Sequence, residues 1–181
     1  MSKTRKLTET ALLLALALCF QSLRYFSPLA SLGGVLVIGS LVNLVLFVTV
    51  GRVGVLSAML ISIVMPLMAV AQGHLMHIYL VPAVAAGNCI LAIVWWLFYV
   101  KFKICSQTVS MLIGAFAKFL FLWWAVPFTF RVFLYSGWEG NASKILEILT
   151  RNMSWPQLVT AIVGGYLAVI VLGLLPKKEF K

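Results

Sequence analysis

Six apolar runs dominate this sequence, each approaching the ~20 residues a helix needs to cross the hydrocarbon core of a bilayer. Most of the charge sits in the short connections between them. The runs cover about residues 7–25, 35–50, 55–71, 78–100, 109–135 and 156–175. The chain is 63% hydrophobic and 10% charged, against roughly 25% charge in a soluble domain, so it is not a water-soluble globule. It is also far too apolar to be disordered. The expected fold is a single all-α integral membrane domain, residues 1–181, with six transmembrane helices.

The first run is too long to be only the apolar part of a cleaved signal, and no small-residue cleavage site follows it; it reads as a first transmembrane helix. The tight turn Gly51-Arg52-Val53-Gly54 makes the second and third runs antiparallel neighbours, and Pro127 is expected to bend or break the fifth. An even number of spans places both termini on one side. Lys3, Arg5, Lys6, Arg52, Lys101, Lys103, Lys177, Lys178 and Lys181 share that side, with Lys144 and Arg151 opposite. Lys and Arg gather on the cytoplasmic face of membrane proteins, so both termini are expected in the cytoplasm. The formal charge of +10 then reflects orientation, and no nucleic-acid partner is expected. Cys19, Cys89 and Cys105 lie far apart, with neither disulfide-frame nor metal spacing. In the outer segment 136–155, Ile145, Leu146, Ile148 and Leu149 fall between Lys144, Glu147 and Arg151. That is the pattern of a short amphipathic helix, which either caps the outer mouth or rests on lipid.

Two stretches carry a likeness: Lys6-Leu7-Thr8-Glu9-Thr10-Ala11-Leu12-Leu13-Leu14-Ala15-Leu16-Ala17-Leu18 and Gly39-Ser40-Leu41-Val42-Asn43. Together with six spans in under two hundred residues and no nucleotide-binding motif, they resemble the S-component, the substrate-binding membrane subunit of energy-coupling-factor (ECF) vitamin transporters. The resemblance extends over essentially the whole chain and implies an S-component-like bundle in the cell membrane of a prokaryote. It implies capture of a water-soluble vitamin or vitamin precursor on the outer side, with no cofactor of its own. The implied partners are a T-component membrane protein and a pair of ABC ATPases that use the ATP. In that family an AxxxA-like surface on the first helix meets the T-component, and Ala11 and Ala15 match it. Alanines four apart on one face allow the close backbone approach on which helix association in lipid depends; the same pair could equally pack on a helix of this chain. The family's nickel and cobalt members carry a ligating histidine close behind the initiator methionine. This chain begins Met1-Ser2-Lys3, so no metal is expected. The resemblance also implies that the small-residue loop 27–34 opens and closes over the pocket.

Polar groups at bilayer depth are costly and usually face a cavity or a partner. Lys118 lies about ten residues into the fifth run, or ~15 Å at 1.5 Å per residue, and no carboxylate inside the spans can pair with it. Asn88 on the fourth run and Gly164-Gly165-Tyr166 on the sixth reach a similar depth, where each either touches a ligand or serves helix packing. The expected substrate-binding set is therefore Lys118, Asn88, Tyr166, Trp123 and Gly165. Arg131, Gln72 and His77 are expected nearer the outside. Trp123 and Trp124 read as ligand-stacking rings or as an interfacial belt. Lys118, helped by Arg131, suggests an anionic or strongly hydrogen-bond-accepting ligand. His74 and His77 have no visible third ligand for a metal.

An enzyme would need a nucleophile with its base, a carboxylate pair or a metal cluster, and four acidic residues leave little to build one from. No enzymatic activity is expected. Paired intramembrane charges or inverted repeats, the marks of a channel or proton-coupled carrier, are not found. A membrane scaffold or assembly protein remains the alternative, against which an unpaired intramembrane lysine weighs.

Overall fold

The computed structural model describes residues 2–25, 32–73, 75, 78–133 and 142–175; these are helical apart from short turns, with no strand among them. The helices are α1 (Lys3–Ser22), α2 (Leu32–Arg52), α3 (Val55–Ala71), α4 (Val81–Trp95), α5 (Gln107–Phe133) and α6 (Ala142–Leu174). A 3-10 turn, Leu23–Tyr25, prolongs α1, another, Ile78–Leu80, leads into α4, and a π-helical turn, Trp96–Lys101, extends α4 beyond its end. Four stretches, Lys3–Tyr25, Ile78–Lys101, Gln107–Phe133 and Leu146–Leu174, are long and apolar enough to cross a membrane, while Leu36–Arg52 and Val55–Ala71 are shorter apolar helices.

Local chemistry sets several of the boundaries. The Ser2 hydroxyl caps α1 by accepting from the Arg5 amide at 3.3 Å, and Ser106 does the same for α5 through Val109 at 3.3 Å, each satisfying one of the N–H groups a helix start leaves unpaired. Between α2 and α3 the Thr49 carbonyl accepts from both Val53 and Gly54. Gly54 takes φ 128°, a backbone state that side chains disfavour, so the chain reverses within three residues. Pro127, expected to bend or break the fifth helix, lies inside a continuous α5, so the helix is not broken there. Larger is the difference at the last helix. Pro156 was expected near its start, but α6 begins at Ala142 and runs through Pro156, so the amphipathic stretch is its first turns and no separate helix. At 33 residues and 1.5 Å each, α6 is ~50 Å long.

The exterior shows which solvent this bundle is built for. Leu56, Leu60, Ile63 and Leu67 on α3, Phe116, Leu120, Trp124 and Phe128 on α5, and Val163 and Ile170 on α6 are all exposed. In water such patches drive association; against lipid they are an ordinary surface. Inside, α2 packs most extensively on α6, α6 on α5, α5 on α4 and α4 on α3. Phe47, Trp95 and Met111 anchor the largest core cluster, with Phe47 and Trp95 edge to face at 5.4 Å. The Trp95 indole N–H donates to the Gln107 carbonyl at 3.2 Å. Helix α1 is the least buried of the four long stretches. It is held by Ala17 against Val45, Leu46, Ile61 and Met65, and by the Thr10 and Ser57 hydroxyls, 2.8 Å apart.

Candidate functional site

At the end of the bundle where α1, α3 and α5 finish, a cavity of about 320 Å³ opens between the helices. At ~30 Å³ per water molecule it has room for about ten waters, and it sits at the small end of the ~300–1,000 Å³ range of ligand pockets. Its walls come from every helix: Gln21 and Arg24 at the end of α1, Ile38, Gly39, Val42 and Asn43 of α2, Met65, Pro66 and Ala69 of α3, Val84 and Asn88 of α4, Lys118 of α5, and Ile148, Met153, Pro156, Gln157 and Thr160 of α6. Leu75 and Leu80 close the remaining side. Apolar walls interrupted by a few convergent polar groups are the usual make-up of a small-molecule site.

Lys118 is the chemical centre. Only 1% of its surface is exposed, and its Nζ donates to Asn43 Oδ1 at 3.1 Å. Asn43 Nδ2 in turn donates to Thr160 Oγ1 at 3.1 Å and to the Gly39 carbonyl at 2.9 Å. The Thr160 hydroxyl donates to the Gln157 carbonyl at 3.1 Å. The bonds run in one direction, from α5 through α2 to α6, and each polarises the next. A lysine ammonium has three N–H donors; one is used here, within the described residues. Asn88 is 6% exposed and borders the cavity, and its amide makes no hydrogen bond within the described residues.

Close helix contact makes this chain of bonds possible. A Cβ on Gly164 would overlap the Ser40 carbonyl and crowd Asn43, and one on Gly39 would press on Thr160. The α2–α6 crossing is therefore built on small residues, which bring backbones together where lipid supplies no hydrophobic drive.

Of the residues expected to bind substrate, Lys118 and Asn88 line the cavity and the others described lie elsewhere. Gly165 packs on Met111 and Phe47, a core contact. Tyr166 and Trp123 are 47% and 59% exposed on the outer surface of the bundle. Trp123 is five residues from Lys118, or ~140° around the helix at 3.6 residues per turn, so it points away from the cavity. Arg131 is exposed near the end of α5. Gln72 is a structural tie: it accepts from Gln21 Nε2 at 2.8 Å and donates to Ser22 at 3.0 Å, fastening the end of α1 to the end of α3. His74, His77 and most of the expected lid at 27–34 lie outside the described residues. Gln21 and Arg24, polar residues at the end of the first run, line the cavity as well, and Asn43, Thr160 and Gln157 are lining residues that the sequence reading does not single out. Ala11 and Ala15 are both exposed on α1, so neither is buried against another described helix.

No protein-family model, curated protein or solved structure matches this chain.

Proposed function

We propose that this protein is the substrate-binding subunit of an ECF-type importer for a water-soluble vitamin or vitamin precursor. The observation that carries the reading is the cavity whose polar groups converge on Lys118, a fully buried lysine with a neutral amide as its hydrogen-bond partner. A lysine at bilayer depth costs ~2.5–3.5 kcal/mol on insertion scales, a cost that a scaffold has no use for and a ligand site does. In this reading all six helices cross the cell membrane of a prokaryote with both termini in the cytoplasm. The cavity then opens at the outer end of the bundle, where a scavenging subunit must capture its ligand.

The exposed pair Ala11 and Ala15 supports a partner on α1. Its flat, small-residue surface suits a close helix–helix contact in lipid, which the T-component supplies, while a pair of ABC ATPases hydrolyses ATP. The protein itself performs no chemistry on its ligand and needs no cofactor. The test is co-expression with a T-component and its two ATPases, followed by affinity isolation and uptake measurements in vesicles. A stable four-protein complex that accumulates a vitamin in an ATP-dependent way is the expected result. Failure to assemble with any such module sinks the proposal.

A further inference from the structure

The cavity is lined by two cationic side chains, Lys118 and Arg24, and by four amides, Gln21, Asn43, Asn88 and Gln157, with no carboxylate among the described lining residues. Resting on the reading of this cavity as a ligand site, we propose that its ligand is a small monocarboxylate whose carboxylate group is held between Lys118 Nζ and the Asn88 amide. The argument is one of charge and donor count. Lys118 is buried with a neutral partner, and buried charges are normally compensated by an opposite charge. None of the described lining residues provides one, and a ligand can.

Donor number then selects the anion. Two N–H groups of Lys118 are unused by the described residues, and the Asn88 amide, more than nine-tenths buried and without a hydrogen bond within them, adds further donors. A carboxylate has two oxygens and one negative charge, which this set can satisfy. A phosphate group brings a third oxygen and a charge nearer −2, and it is normally met by a guanidinium fork, a helix N-terminus or a nest of backbone N–H groups; the one guanidinium among the described lining residues, Arg24, is already engaged in another interaction. Lys118 and Asn88 lie well inside α5 and α4, where the backbone N–H groups are used by the helices themselves. Asn43 takes part as a positioning residue. It holds Lys118, itself a lining residue of the cavity, through the bond that continues to Thr160.

The test uses matched probes on the purified full-length protein in nanodiscs: nicotinate against nicotinamide, pantothenate against pantothenol, and benzoate against benzamide, read by thermal shift and equilibrium binding. The carboxylate of at least one pair is expected to bind about 100-fold tighter than its neutral counterpart, the scale of a charge-assisted contact in a buried site. That preference should vanish in Lys118→Met and fall in Asn88→Leu. Lys118→Arg, which keeps the charge, should retain part of it and guards against a folding defect in Lys118→Met. Carboxylates that bind no better than their neutral partners, or not at all, would overturn the inference. Tight binding of a neutral probe would do so while leaving the capture reading intact. Assembly with the energising module is measured separately, so its failure is distinguishable from a wrong choice of anion.

Discussion

Replacing Asn43 by leucine tests the bonded chain at the centre of the molecule. Leucine keeps asparagine's branching at Cγ but is bulkier, so the cycle with Lys118→Met is what separates polarity from packing. Three contacts disappear: the acceptor for Lys118 Nζ and the donors to Thr160 and Gly39. The Gly39 carbonyl keeps its place in the helix, and the Thr160 hydroxyl keeps the Gln157 carbonyl, so those two losses are small. Losing the Lys118 bond leaves an ammonium buried without its protein acceptor, and a bond to a charged group is worth about 1.5–3 kcal/mol. Hydrogen bonds between membrane helices average ~0.6 kcal/mol in double-mutant cycles, with a maximum near 1.7, which places the coupling here at about 1.5 kcal/mol. The assay is a four-protein cycle of wild type, Asn43→Leu, Lys118→Met and the double variant, each unfolded reversibly in mixed micelles. Asn43→Leu should cost about 2–3 kcal/mol alone and about 1 kcal/mol beside Lys118→Met. A coupling below ~0.5 kcal/mol would refute the claim that Asn43 holds Lys118 in place through their hydrogen bond.

Lys118→Met alone is expected to stabilise the ligand-free protein by about 1–3 kcal/mol, because a buried charge is replaced by an apolar chain of similar length; the same unfolding curves measure it, and a destabilised variant contradicts the prediction. Gly164→Leu should push α6 away from the Ser40 carbonyl and cost at least ~1–3 kcal/mol, seen as a lowered melting temperature, whereas Gly173→Leu, with open space around it, should change little. Ala11→Trp and Ala15→Trp should leave folding intact, since both sites are exposed, and weaken recovery of the T-component; undiminished recovery places the partner elsewhere.

The helical class was legible in the apolar runs, because length and hydropathy alone determine what can cross a bilayer. The unusual character of Lys118 was legible too, as a lysine in the middle of an apolar run, and it is buried in the bundle. Trp123 and Tyr166 were misplaced because depth was used without azimuth: at 100° per residue, Trp123 is turned ~140° from Lys118 and Tyr166 ~160° from Gly164, a check the sequence itself permits. Asn43 was visible as an amide in the middle of an apolar run, like Asn88, but it was read only as part of a family-like stretch. Thr160 carried little signal, since hydroxyls commonly bond back to their own helix, as Ser40 and Thr49 do here, and Gln157 stands beside Pro156, where the sequence reading places a helix start. The continuous α6 was hidden by Pro156, a residue that sequence reading treats as a boundary and that a helix packed on its neighbours can absorb.

Helix α1 presents Ala11 and Ala15 on its outer face and ends in Gln21 and Arg24 on the cavity wall, and it is the long helix with the least burial to hold it in place. In the proposed reading this one helix belongs to both the partner surface and the ligand site, which makes their affinities thermodynamically linked. A partner that displaces α1 reshapes the cavity and changes ligand affinity by some factor, and a bound ligand must change partner affinity by that same factor. Measured in both directions on one preparation, the two ratios form a closed cycle. Loosening the Gln21–Gln72 tie by Gln72→Ala, which frees the end of α1 from α3, should alter both ratios together.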